Sequence, residues 1–154
     1  MVKTFEILGE PKGKARPKFT TINGHAQAIT PKQTVQYENL VKMEYQAQCG
    51  GFSFAQDQQV YVLIDCFMGM PKTVSKVKRV AMLDRSLRPM KKPDFDNVGK
   101  IICDSLNGIA YHDDAQIVDG RVRKYYSQKP RVVVTLSDQP INADSRTVNK
   151  EECI

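Results

Sequence analysis

The sequence predicts an α+β fold: a small mixed β-sheet packed against two or three helices, in a single domain over residues 1–137. Three observations predict it. Asn23 and Gly24 form a strong two-residue hairpin signal between strand-like flanks. The run Val60–Met70 is dense in β-branched and aromatic residues and is closed by Pro71. A helix-periodic stretch beginning at Asp94 is followed by two further strand patterns, Ile117–Tyr126 and Val132–Leu136.

Taken in order, Lys3–Leu8 alternates like a half-buried strand, and Gly9, Pro11 and Gly13 close it. In KGKARPKF, the bases Lys12, Lys14, Arg16 and Lys18 fall at every second position, so an extended segment presents all four on one face. That face suits a phosphate backbone, and equally a lysine-protected edge strand. The hairpin strands are Phe19–Ile22 and His25–Ile29, with His25 an exposed turn residue. Val35, Leu40, Val41 and Tyr45 mark an amphipathic helix from Thr34 to about Gln48, stopped by Gly50 and Gly51. In the central strand Asp65 is assigned to the polar face. Thr73–Leu83 reads as a basic helix with Lys76, Lys78 and Arg79 on its polar side, followed by Arg85, Arg88, Lys91 and Lys92. The loop from Asp84 to Met90 has so little apolar content that it is expected to be mobile or to wait for a ligand.

Bulk composition narrows the class. Hydrophobic residues at 41% and charged residues at 26% fit a globular chain rather than a disordered one. The apolar run at Val60–Met70 is far shorter than the roughly 20 residues that span a bilayer, so no membrane segment is expected. The N-terminus shows no secretory signal, and Cys49, Cys66, Cys103 and Cys153 are scattered without a CxxC pair. A cytoplasmic protein with reduced thiols is the expectation. Net charge is +6, and the polar tail 138–154, expected to be partly disordered, carries four acids and two bases, which leaves +8 on residues 1–137. Charge of that size fits a polyanion partner, though it also serves simple solubility.

Against this positive background, Lys91–Gln116 holds five aspartates: Asp94, Asp96, Asp104, Asp113 and Asp114. Pro93 disfavours helical geometry at Lys92, and Asp94 has the chemistry of an N-cap for a helix through about Asn107. Val98, Ile101, Ile102, Ser105, Leu106 and Ile109 fall on one side of it. Asp96, Lys100 and Asp104 follow at spacings of four on the other, with Asn107 and Gly108 as a left-handed cap. An isolated DxD is commonly only a helix cap, and Lys100 alone could be only an ion-pair partner. The second pair, Asp113 and Asp114, alters the balance. If the strand Ile117–Tyr126 pairs antiparallel with its successor, its start lies beside the helix N-terminus, and three carboxylates converge on a cation. Carboxylates with substrate phosphate oxygens hold hard divalent cations, and such ions catalyse phosphodiester hydrolysis.

PDFDN, Lys100, Asp104 and LNGIAYHDDAQI together resemble the signature of the RusA family of Holliday junction resolvases, with support from GKARPKF near the start. The resemblance implies a small cytosolic Mg2+-dependent endonuclease of phage or prophage type, in which Mn2+ can replace Mg2+. It implies a homodimer that nicks four-way DNA junctions symmetrically. By motif, Asp94, Asp96 and Asp114 resemble the metal ligands, with Asp113 a weaker candidate, and Lys100 resembles the essential lysine. Lys12, Lys14, Arg16, Lys18, Lys76, Lys78, Arg79, Arg88, Lys91 and Lys92 are the candidate DNA contacts. Pro93 and Phe95 depart from the commoner residues at their positions, which bears on DNA preference more than on metal chemistry. From the residues alone, a non-catalytic nucleic-acid-binding module and a nuclease for other branched or flapped DNA stay open.

Overall fold

A computed structural model of the chain describes residues 1–142. The strands are β1 (Val2–Leu8), β2 (Lys18–Ile22), β3 (His25–Ile29), β4 (Val60–Gly69), β5 (Ile117–Ser127) and β6 (Arg131–Ser137). The helices are α1 (Lys32–Cys49), α2 (Lys76–Leu83) and α3 (Phe95–Ser105), with a single 3-10 turn at Asp114–Gln116. The α+β expectation holds. Four strands form one mixed sheet in the order β1-β6-β4-β5, while β2 and β3 pair only with each other.

Within the main sheet, β4 pairs antiparallel with β6 and parallel with β5. The expected pairing of β5 with β6 is therefore wrong, because β4 lies between them. Burial explains the order. β4 is buried from Val62 to Met68 and needs a backbone partner on each side. β5 is polar and largely exposed over its first half, with Arg121 and Lys124 along it, which suits an edge. A parallel β4–β5 pair in turn requires a long crossover, and α2 and α3 supply it.

Alternate residues of the sheet, among them Phe5, Ile7, Val62, Ile64, Val132, Val134 and Leu136, form one apolar face. α1 and α3 cover that face. α1 contributes Tyr37, Val41, Tyr45 and Cys49, whereas the expected core residue Val35 is exposed. Phe5 meets Tyr45 edge to face at 5.3 Å. The free edge of β1 is blunted by Gln48, whose amide donates to the Glu6 carbonyl and whose oxygen accepts from the Glu6 amide, at 2.8 and 2.9 Å.

Asp65 does not occupy an open polar face. It is buried, and Arg123 of β5 grips it with two hydrogen bonds of 2.5 and 2.7 Å. The fork matches a carboxylate, and pairing is the condition for leaving such a charge out of water. Cys49, Cys66 and Cys103 carry free thiols, and burial pushes Cys66 up to about 12 and Cys103 to about 11. Cys153 and most of the polar tail lie outside the described residues. Among the described residues, no helix is long and apolar enough to cross a membrane.

Candidate active site

Two anchorages fix the start of α3. On one side, Arg88 lies over the Tyr125 ring at 4.3 Å and donates through Nε to the Lys124 carbonyl at 2.8 Å, while Lys124 Nζ donates to the Lys91 carbonyl. Arg85 covers the same ring at 4.9 Å. The segment after α2, expected to be mobile or to wait for a ligand, is strapped to β5 by its own arginines. On the other side, the Lys14 amide donates to the Asn97 carbonyl at 2.9 Å. A Cβ at Gly13 would lie 3.0 Å from the Asn97 Cβ and 3.1 Å from that of Pro93, so glycine permits this approach. Between the two anchors the Lys92–Pro93 bond is cis.

α3 then separates the acids. Asp94 occupies the N-cap position in extended geometry, but its side chain makes no capping hydrogen bond. Its carboxylate is therefore not committed to the helix, and Asp96 stands exposed in the first turn. Val98, Ile101, Ile102, Ser105 and Leu106 are buried as expected. The helix ends at Ser105, earlier than predicted, and Gly108 takes its left-handed φ of 71° in the following loop. Asp104, near that end, forms ion pairs with Lys100 and with Lys14, each at 3.5 Å. Lys14 also pairs with Glu38 of α1.

Asp114 belongs to the far end of the helix. Its amide donates to Asn107 Oδ1 at 2.8 Å, and its carboxyl lies beside Asp104. At a rise of about 1.5 Å per residue, Asp104 is about 12 Å along the axis from Asp96 and about 15 Å from Asp94. The expected convergence of Asp94, Asp96 and Asp114 at the helix N-terminus is not the arrangement of this chain. The loop is the reason. Tyr111 Oη donates to the Cys103 carbonyl at 2.7 Å, folding the chain back onto the last helical turn, so β5 begins there and runs back along α3.

Electrostatics distinguishes the two neighbouring acids of the turn. The Asp113 carboxyl is held below its ordinary value chiefly by the Ala115 amide, which donates to it at 2.8 Å. Asp113 and Gln116 form a reciprocal capping box, and Gln116 also donates to the Ala55 and Gln58 carbonyls. Asp114 shifts the other way, raised by burial first and then by the carboxylates of Asp113 and Asp104. A raised carboxyl favours the fold below its unfolded pKa of 3.8, and that advantage is lost as pH rises through the folded value. Asp114→Asn is therefore expected to raise the melting temperature at neutral pH in EDTA, with the gain shrinking toward zero in acid below 3.8. Thermal melts across pH check this; a variant that melts no higher at neutral pH contradicts it.

The candidate DNA contacts fall into groups. Lys12, Lys91 and Lys92 line an open cleft of about 440 Å³ together with Asp94 and Asn97. Lys14 also reaches that cleft, but its ammonium is turned to Glu38 and Asp104, so the four bases of KGKARPKF do not share one face. Residues 11–17 form no strand, which is why the period of two does not apply there. Arg16 and Lys18 are exposed beyond it, as are Lys76, Lys78 and Arg79 on α2.

The chain matches the family Endodeoxyribonuclease RusA over residues 9–137, which takes in the cleft, α3, the acidic turn and the main sheet except β1. It belongs to the RusA endodeoxyribonuclease family. It is also similar to a protein of Bacillus subtilis (strain 168) described as uncharacterized protein YqaN, with 37% identity over 142 residues, covering 87% of this chain and 94% of the relative.

Among the described residues, no three His, Cys, Asp or Glu side chains stand close enough together to hold a metal ion by themselves. The donors at each end of α3 are nevertheless hard carboxylate oxygens, and Mg2+ takes one or two of these with water and substrate phosphate. The raised Asp114 carboxyl beside Asp104 is a further fit, since a cation relieves like-charge crowding. Glu38 escaped prediction, because its partner Lys14 is 24 residues away and no local pattern joins them. Gln116 was legible in principle, since Asp113 and Gln116 have capping-box spacing.

Proposed function

We propose that this RusA-family nuclease is a Mg2+-dependent Holliday junction resolvase, acting as a cytoplasmic homodimer that makes paired symmetric nicks in recombination and repair. The observation that carries the reading is the row on α3: uncommitted Asp94 and exposed Asp96 at one end, Asp104 and Asp114 at the other, and Lys100 between them. Asp94 and Asp96 at one end of α3, and Asp114 beside Asp104 at the other, would each offer carboxylate oxygens to Mg2+, or to Mn2+ in its place. Bound there, the cation would polarise the scissile phosphate and stabilise developing charge.

The remaining steps belong to the chain's own groups. Lys12, Lys91 and Lys92 draw the DNA backbone into the cleft beside Asp94. Arg88 shapes that cleft by its strap to β5. Lys100 is 62% exposed and only loosely paired with Asp104, so its ammonium can turn to a phosphate oxygen as negative charge builds. Symmetry suits the substrate, because a twofold dimer offers the same site to two opposed strands.

A substrate panel tests the specificity. Labelled four-way junction, flap and linear duplex of equal length are incubated with the protein in Mg2+ or in EDTA. Rapid cutting of the four-way junction in Mg2+ alone is the expected result. Preferential cutting of flaps would replace the resolvase reading with that of a nuclease for other branched DNA, and equal cutting in EDTA would remove the cation.

A further inference from the structure

The hairpin β2–β3 stands apart from the rest of the molecule. All ten of its strand residues are exposed, including Phe19 at 79%, and its strands pair only with each other. Asn23 and Gly24 adopt φ of 52° and 75°, the two left-handed positions of the hairpin turn. An isolated two-stranded ribbon is at best marginally stable in water, so one with no packed face gains order from whatever covers it. At about 3.3 Å per residue, five-residue strands carry the turn about 17 Å from the root.

Charge identifies the cover. Between Glu10 and Glu38 the chain contains no acid at all, while it contains Lys12, Lys14, Arg16, Lys18 and Lys32. Lys14 is taken by Glu38 and Asp104, which leaves four exposed bases on the ribbon and its root. One face of the ribbon carries Lys18, Thr20, Ile22, His25, Gln27 and Ile29, a mixture of base, hydrogen-bonding groups and aliphatic side chains. The root is fixed where the reaction is read, because Gly13 and Lys14 pack on Pro93 and Asn97 beside Asp94.

We infer that the β2–β3 hairpin is a DNA-gripping arm that lies along duplex DNA flanking the cleft and orders on it. The inference rests on the nuclease reading and adds the surface that holds the substrate away from the cut. The major groove, about 12 Å wide, admits a two-stranded ribbon, and a ribbon without acids meets no repulsion from the phosphates at its rim. A second protein chain gains nothing from the absence of acids.

Replacing Lys18–Ile29 of the full chain with a short Gly-Ser linker tests the arm, since no core residue is removed. Binding of a labelled four-way junction is measured in EDTA, with melting temperature and mass by light scattering measured alongside. The expected result is a loss of affinity of about tenfold or more at unchanged mass and melting temperature. A second variant, Arg16→Ala with Lys18→Ala, keeps the ribbon and is expected to lower the slope of log affinity against log salt by about two. Unchanged affinity on deletion overturns the inference, as does a fall in mass from dimer to monomer, which would make the arm a contact between copies. Intact protein that binds no junction sinks the nuclease reading and the arm together. Tight intact binding that is indifferent to the deletion sinks the arm alone.

Discussion

Asp96→Asn is expected to reduce junction nicking in Mg2+ on the order of 10²–10³-fold while leaving junction affinity in EDTA within about twofold of wild type. Asp96 is exposed, makes no contact with the core and lies in the first turn of α3, so the amide is accommodated without a folding cost. On the proposed reading, removing the charge there takes away a metal ligand and a repulsion at once. The repulsion matters only to binding, where one negative charge fewer near the phosphates gives at most a slight gain. The ligand matters only to cleavage. Single-turnover rates and equilibrium binding on the same junction separate the two, and a variant that cuts at the wild-type rate removes Asp96 from the site.

The second large effect concerns Lys14. Its ammonium joins Glu38 on α1 to Asp104 on α3, and all three side chains are less than one quarter exposed. Burial opposes the charge on Lys14, but Glu38 and then Asp104 outweigh it and hold its pKa above the ordinary 10.5. A raised lysine favours the fold below its unfolded pKa, and the contribution is lost as pH rises through the folded value, so it is fully present at neutral pH. Lys14→Met is expected to cost about 2 kcal/mol in chemical denaturation at pH 7, because it leaves the largely buried Glu38 without its cation and Asp104 with only the exposed Lys100. The double variant Lys14→Met with Glu38→Gln is expected to recover part of that loss. No recovery would mean that the lysine acts through its stem and not through its charge.

What was legible in the sequence was whatever the chain specifies over a few residues. Asn23-Gly24 fixed a hairpin because both positions need a positive φ, and β4 declared itself by a run dense in β-branched and aromatic residues closed by Pro71. The apolar side of α3 followed from spacing, as did the ion pair from Lys100 to Asp104.

The failures that moved the site were questions of what meets what at long range. Proximity in sequence suggested that β5 pairs with β6, but the doubly buried β4 takes the centre and displaces β5 to the edge. That displacement, together with Tyr111 pinning the loop to Cys103, carries Asp114 to the end of α3 opposite Asp94. Lys14 had a basic neighbour two residues to either side and looked like one of a row, yet it faces inward because Glu38 waits on another helix. Asp104, four residues after Lys100 and its ion-pair partner, is also the neighbour of Asp114 and a second ion-pair partner of Lys14.

Metal-dependent paired nicking of a four-way junction is read directly by mapping cuts on junctions end-labelled on each strand in turn. Nicks are expected at symmetry-related positions on two opposed strands in Mg2+, none in EDTA, and almost none with Asp96→Asn. Binding without cuts in Mg2+, or cuts that persist in EDTA, would contradict the proposed reading.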